Sequence, residues 1–282
     1  MREGEYMGSG RPEEAEAVII GAPFDSTTSF RPGARFAPQL IRQVSYVLEE
    51  YSPELDGSLE EVRFFDAGNL DMPAGAPGPA LSLLREAVAE LAFKPGLRLF
   101  LLGGEHLVTL PAVEAALAFY PDLCVLQFDA HADLRHTYGG EKFSHATVMR
   151  RIAEIVGPRR VYQFGIRSGS REEFRFGQEN TSFFPYEITG PLETVLPELT
   201  GRPLYVTIDI DVVDPGYAPG TGTPEPGGVS AAEMIAVVRR LSALTIIGFD
   251  VVEVCPPADH SWTTAVLAAK IVREALIGLG SR

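Results

Sequence analysis

Short apolar runs alternate with longer amphipathic stretches along most of the 282-residue chain. The runs at 18–20, 97–102, 123–128, 161–165, 204–208 and 244–250 are compact and mostly apolar, the pattern of strands buried on both faces. Between them, helical spacing of apolar positions marks 38–50, 80–93, 106–120, a segment opening near Ser144, 230–242 and 262–279. Strand–helix alternation of this kind predicts an α/β fold, with a parallel sheet covered by helices on both faces. No internal repeat, low-complexity segment or linker interrupts the pattern, so a single domain over 1–282 is expected. The Gly/Pro-rich stretch 214–228 reads as an ordered loop, because a chemically suggestive run leads directly into it.

In open parallel sheets, ligands bind beyond the carboxyl ends of the strands. The polar motifs fall there: Gly103-Gly104-Glu105-His106, Asp129-Ala130-His131-Ala132-Asp133, Asp209-Ile210-Asp211, and Glu253. If the strands continue through these runs, residues two apart share a direction, so Asp129, His131 and Asp133 converge, as do Asp209 and Asp211. Carboxylates gathered in this way repel one another unless cations lie between them. With His106, aimed by the two preceding glycines, the runs supply six ligands. That is enough for two ions if Asp129 and Asp209 bridge. Oxygen-rich sites with one imidazole per ion suit Mn²⁺, with Fe²⁺, Co²⁺ and Zn²⁺ as competitors. Two such ions about 3.5–4 Å apart hold a bridging hydroxide and lower its pKa towards neutrality, a hydrolase's nucleophile.

Composition narrows the class. The net charge of −14 argues against nucleic acid and anionic membranes as partners and suits a cationic substrate. No apolar run reaches the roughly 18 residues of a membrane span. The polar N-terminus does not resemble a signal peptide, and Cys124 and Cys255 lie in apolar segments as reduced thiols. A cytoplasmic enzyme is expected.

The motifs Gly103 to His106, Phe128 to Asp133, Ser144-His145-Ala146-Thr147-Val148-Met149-Arg150-Arg151 and Asp209-Ile210-Asp211-Val212-Val213-Asp214-Pro215 resemble the ureohydrolase family of arginases and agmatinases. The likeness runs from Gly21 to Glu253. It implies a three-layer αβα fold, two Mn²⁺ per subunit, and cleavage of a guanidino group to urea and an amine. The family pattern retains all six ligands: His106, Asp129, His131, Asp133, Asp209 and Asp211. It further implies that Glu253 binds the guanidinium. As a mechanism, Asp133 relays the nucleophile's proton to the leaving amine and His145 shuttles protons to solvent.

The stretch 218–228 and the Ser144 motif resemble agmatinases more than arginases. The segment 134–143 lacks the Asn- and Ser-containing loop with which arginases grip an α-carboxylate. Agmatine, giving putrescine and urea, is therefore the expected substrate. Aminopropylagmatine, giving spermidine, and guanidinobutyrate are the alternatives. More remote are a single-zinc deacetylase-type amidohydrolase, whose usual set is one His and two Asp, and a non-catalytic homologue, which would have lost ligands. The resemblance also implies a homo-oligomer, a trimer or hexamer. Loops 31–35 and 165–170 match family loops near the pocket, with scaffold or ion-pair roles expected for Arg31 and Arg35. Asp214 and Asp250 are expected to orient ligands or turns, and His136 and His260 carry no strong claim.

Overall fold

The computed structural model describes residues 4–93 and 96–280. Met1, Arg2 and Glu3, on which the signal-peptide expectation partly rests, lie outside them. The chain order is β1 (Ala17–Ala22), α1 (Ala37–Ser45), a small antiparallel hairpin of β2 (Tyr51–Ser52) and β3 (Gly57–Ser58), then β4 (Phe64–Asn69), α2 (Pro77–Leu91) and β5 (Arg98–Gly103). There follow α3 (Thr109–Leu117), β6 (Cys124–Phe128), α4 (Val148–Val156), β7 (Val161–Ile166), α5 (Arg171–Asn180) and β8 (Ser182–Pro185). The last third holds α6 (Thr189–Leu199), β9 (Leu204–Asp209), α7 (Ala231–Leu241), β10 (Ile246–Val252) and α8 (Thr263–Gly280).

Eight strands form one parallel sheet in the order β4-β1-β5-β10-β9-β6-β7-β8. Because strand side chains alternate, each strand feeds two cores. Ile19, Phe100, Leu102, Leu126, Val206 and Phe249 pack on one face with α1, α6, α7 and α8. Val18, Ile20, Leu99, Leu101, Val125 and Tyr205 pack on the other with α2, α3 and α4. The result is the three-layer αβα arrangement. Each fully buried Leu, Ile, Val or Phe contributes about 1.5–3 kcal/mol towards holding the layers together.

The six strands and six helices read from the hydrophobic pattern are all present, with shifted ends; α1 stops at Ser45 rather than near 50. Six elements were not read from the sequence: the edge strands β4 and β8, the hairpin strands β2 and β3, and the helices α5 and α6. Among the described residues, no helix is long and apolar enough to cross a membrane.

The topology makes one crevice. After β5 the chain re-enters the sheet at β6, three positions away, and β9 and β10 later fill the gap. The loops leaving these four central strands part at their carboxyl ends, where such sheets bind ligands.

Candidate metal centre

All four central strands deliver acidic or imidazole side chains to this crevice. Gly104 lets the β5 loop press against the loop after β1: Glu105 N donates to Phe24 O at 2.7 Å. A Cβ on Gly104 would stand 1.9 Å from that same oxygen, so no other residue fits. His106 then opens a short 3-10 turn into α3. Glu253, just past β10, adopts a left-handed backbone (φ 62), donates its N–H to Gly104 O at 2.8 Å and accepts His106 N at 2.8 Å through Oε1. The loops after β5 and β10 are thereby tied together at the ligand itself.

The alternation expected through 129–133 and 209–211 is not what brings these residues together. β6 ends at Phe128, and Asp133 lies in the left-handed region (φ 52). Asp211 sits within the 3-10 turn Ile210–Val212 that follows β9. The carboxylates themselves fold these turns: Asp129 Oδ1 accepts His131 N at 2.6 Å, Asp209 Oδ1 accepts Asp211 N at 2.9 Å, and Asp211 Oδ1 accepts Ala130 N at 3.0 Å. One oxygen of each of these acids shapes the loop. Beneath them, Arg167 donates to Asp211 O and Glu225 O, each at 2.6 Å, pinning the 211 turn to the 214–228 loop.

Two overlapping groups result. His106, Asp129 and Asp209 form one, and Asp129, His131 and Asp211 the other, each with ligand atoms within 4.8 Å of one another. His106 Nδ1 lies 3.0 Å from Asp129 Oδ2, 3.2 Å from Asp133 Oδ2 and 3.5 Å from Asp209 Oδ2. Its Nε2 is held 2.9 Å from Thr207 Oγ1, which leaves Nδ1 as the atom turned to the acids. His131 Nδ1 lies 2.8 Å from Asp211 Oδ2. Asp129 belongs to both groups and Asp209 to the first; Asp133 flanks the first through His106.

The donor set fits divalent cations. His106 Nδ1 and Asp211 Oδ2, one from each group, are buried atoms that face other candidate ligands at close range yet make no well-aligned hydrogen bond. Such orphans are costly unless something else binds them. Burial and the neighbouring carboxylates of Asp211 and Asp133 push Asp129 up to about 7, and burial with Asp211 and Asp129 raises Asp209 well above the carboxylate range. Burial disfavours charge on His131, but Asp211 outweighs it and lifts the imidazole to about 11. Burial also acts against charge on His106; the surrounding Asp129, Asp133 and Asp209 prevail and raise it well above its ordinary value. Acids that resist ionising together, and imidazoles forced to take protons, are the signature of a site built around positive charge. No thiol belongs to either group; Cys124 and Cys255 are buried and free.

A cavity of about 250 Å³ opens onto this centre. Asp133, Asp209, Glu253, His131 and His145 line it, with Ser29, Arg135, Tyr138, Ser168, Glu173 and Thr223 among the others. His145 starts a 3-10 turn before α4, its ring edge-on to Tyr138 with centroids 5.4 Å apart. Burial pushes its pKa below the ordinary value. Glu253 is pushed up to about 8 by burial and then by Glu105. Arg35 pairs with Asp25 in the adjoining loop, Asp214 caps Gly216, Gly227 and Gly228, and Asp250 accepts Tyr205 Oη and Thr109 Oγ1. His136 lines a neighbouring cavity with Arg135 and Glu173, not this one.

The sequence profile of the Arginase family matches residues 15–278. The chain belongs to the arginase family. Within it, the agmatinase of Bacillus subtilis is 49% identical over 280 residues, 98% of this chain and 96% of that protein. The N(1)-aminopropylagmatine ureohydrolase of Thermococcus kodakarensis is 39% identical over 93% and 90% of the two chains. The crystal structure of an agmatine ureohydrolase from Thermoplasma volcanium superposes with a TM-score of 0.90 at 32% identity, covering 99% of this chain and 94% of that one. The protein is thus an arginase-family enzyme, an agmatinase-like ureohydrolase. Sequence reasoning named His106, Asp129, His131, Asp209 and Asp211, which the structure brings together in the two groups. It passed over Thr27, Ser29, Tyr138 and Glu173, which come from loops and a helix start with no apolar pattern around them, and it left Glu105 without a role although it stands inside a quoted motif.

Proposed function

We propose that the protein hydrolyses agmatine to putrescine and urea with two Mn²⁺ ions. One would be held by His106, Asp129 and Asp209 with Asp133 alongside, the other by Asp129, His131 and Asp211. Oxygen and imidazole donors without thiolate favour Mn²⁺ over softer choices. Bound there, the ions supply a water acidified towards neutrality and electrostatic stabilisation of the charge that develops on the guanidino group.

The observation that carries the substrate reading is the charge of the cavity. Apart from Asp133 and Asp209, which the ions would engage, its lining holds the carboxylates Glu173 and Glu253 against a single guanidinium, Arg135. Arg135 is itself engaged, 3.4 Å from Glu173 Oε2 and stacked 5.3 Å over the Tyr138 ring. A substrate with a cationic tail suits this lining; a carboxylate tail does not. Glu253 binds the planar guanidinium through paired hydrogen bonds. Asp133 takes the proton of the attacking water. As the C–N bond breaks, Asp133 passes that proton to the departing nitrogen, which leaves as the amine of putrescine, while His145 exchanges protons with solvent.

The test is urea release from Mn²⁺-loaded enzyme with agmatine, aminopropylagmatine, arginine and guanidinobutyrate, ranked by kcat/KM. Agmatine first is the expected result. Aminopropylagmatine first would keep the chemistry and move the product to spermidine. Guanidinobutyrate or arginine first, or no urea, overturns the reading.

A further inference from the structure

Glu105 is fully buried but belongs to neither metal-ligand group. Its carboxylate takes both donors of Thr27: the backbone N–H reaches Oε1 at 2.7 Å and the hydroxyl donates to Oε2. A hydroxyl carries one proton. With that proton given to Glu105, Thr27 Oγ1 accepts from every other neighbour. Two of those neighbours belong to His145: its backbone N–H at 3.0 Å and its ring Nδ1 at 3.5 Å. Glu105 Oε2 lies 3.7 Å from the same Nδ1. Both oxygens facing Nδ1 are therefore acceptors, and the neutral ring meets them best with its proton there. Nε2 is then bare, 3.3 Å from Ser29 Oγ, whose hydroxyl can donate to it. Ser29 and His145 both line the cavity.

We infer that Glu105 and Thr27 are positioning residues that fix neutral His145 as its Nδ1–H tautomer, leaving Nε2 as the one ring atom that gains and loses a proton at the cavity. The backbone bond from His145 to Thr27 sets where the ring starts, and the Glu105–Thr27 bonds set which nitrogen holds the proton. His145 then acts first as a proton acceptor towards the cavity. Once protonated at Nε2, it returns that same proton from the same atom, so the ring need not flip between steps.

The test is ¹⁵N NMR of the protein labelled at its five histidines, loaded with diamagnetic Zn²⁺ at about pH 8, where histidine is neutral. A His145→Gln sample assigns the resonance. Wild type is expected to show Nδ1 protonated and Nε2 bare. Thr27→Val, which removes the hydroxyl, is expected to give a mixture of tautomers, and Thr27→Ser to restore the wild-type pattern. Glu105→Gln, whose amide donates to Thr27 Oγ1 and frees its hydroxyl to donate to Nδ1, is expected to reverse the tautomer. An Nε2–H ring in wild type, which would place the proton on Glu105, overturns the inference. So does a tautomer ratio unchanged in both Thr27→Val and Glu105→Gln. The kinetic arm rests on the proposed function: kcat on agmatine should fall at least about tenfold in Thr27→Val with KM nearly unchanged, and recover in Thr27→Ser. The NMR arm uses no substrate, so an enzyme that released no urea from any guanidino compound would refute the substrate reading and leave the tautomer to be decided by itself.

Discussion

At the scale of single residues, Asp129 is the corner on which the centre turns, since among the described residues it is the one shared by both ligand groups. An Asp129→Asn variant is expected to bind fewer than one ion in place of two and to lose at least about a hundredfold in activity, read by metal analysis after dialysis and by urea release. Its metal-free form should melt no lower than metal-free wild type, because a carboxylate held up at about 7 by burial and its neighbours opposes folding when ionised at neutral pH. A metal-free variant melting well below wild type would mean that Asp129 is chiefly a structural acceptor for His131 N. Glu253 lies at the other extreme. One of its oxygens holds His106 N, yet it belongs to neither metal group and lines the cavity. Glu253→Gln should therefore keep both ions while kcat/KM for agmatine falls about 10–100-fold, the worth of a charge-assisted hydrogen bond to guanidinium. Unchanged kinetics would remove it from substrate binding.

At the scale of elements, legibility followed burial. Strands and helices packed in the middle of the sheet announced themselves as apolar runs. β4 reads Phe-Phe-Asp-Ala-Gly-Asn and β8 Ser-Phe-Phe-Pro; both lie at sheet edges, half open to solvent, and break the pattern with polar or turn residues. α5 buries only Glu173 and Gly177 and shows no apolar stripe; α6 buries one, Leu192, Val195, Leu196 and Leu199, but Gly190, Pro191 and Pro197 within it disguise the helix. The ligand runs were legible because their residue types are rare together at strand ends. Their geometry was not, since Asp133 and Asp211 reach the centre through turns rather than strand alternation. A buried tie between distant elements was equally hidden. Glu274 on α8 accepts Arg239 Nε of α7 at 2.7 Å and Ser52 Oγ of the β2–β3 hairpin at 2.8 Å, beside Arg273. These donors outweigh burial and lower its pKa from 4.5 to about 2. The fold thus favours the ionised form, and this contribution is complete above pH 4.5 and fades as pH falls from there to about 2. Glu274→Gln should destabilise by up to about 3–5 kcal/mol at neutral pH. The gap in Tm between wild type and variant should narrow below about pH 4.5. A gap constant with pH would contradict the ion-pair account.

At the scale of the whole molecule, net charge, topology and site chemistry agree. A chain of net charge −14 folds so that four adjacent strands aim carboxylates into one crevice, a field that draws dications and repels anions. Added salt should therefore lower kcat/KM for agmatine, with a smaller effect for guanidinobutyrate, whose tail is negative; equal salt slopes would deny steering a role. The central claim is that this crevice becomes a hydrolase when two divalent ions fill it. The most direct measurement is urea release from agmatine as Mn²⁺ is titrated into metal-free protein, with bound metal counted in parallel. Activity that rises in step with the second equivalent is the expected result. Full activity with no ion or only one, or no urea at saturation, would contradict the account.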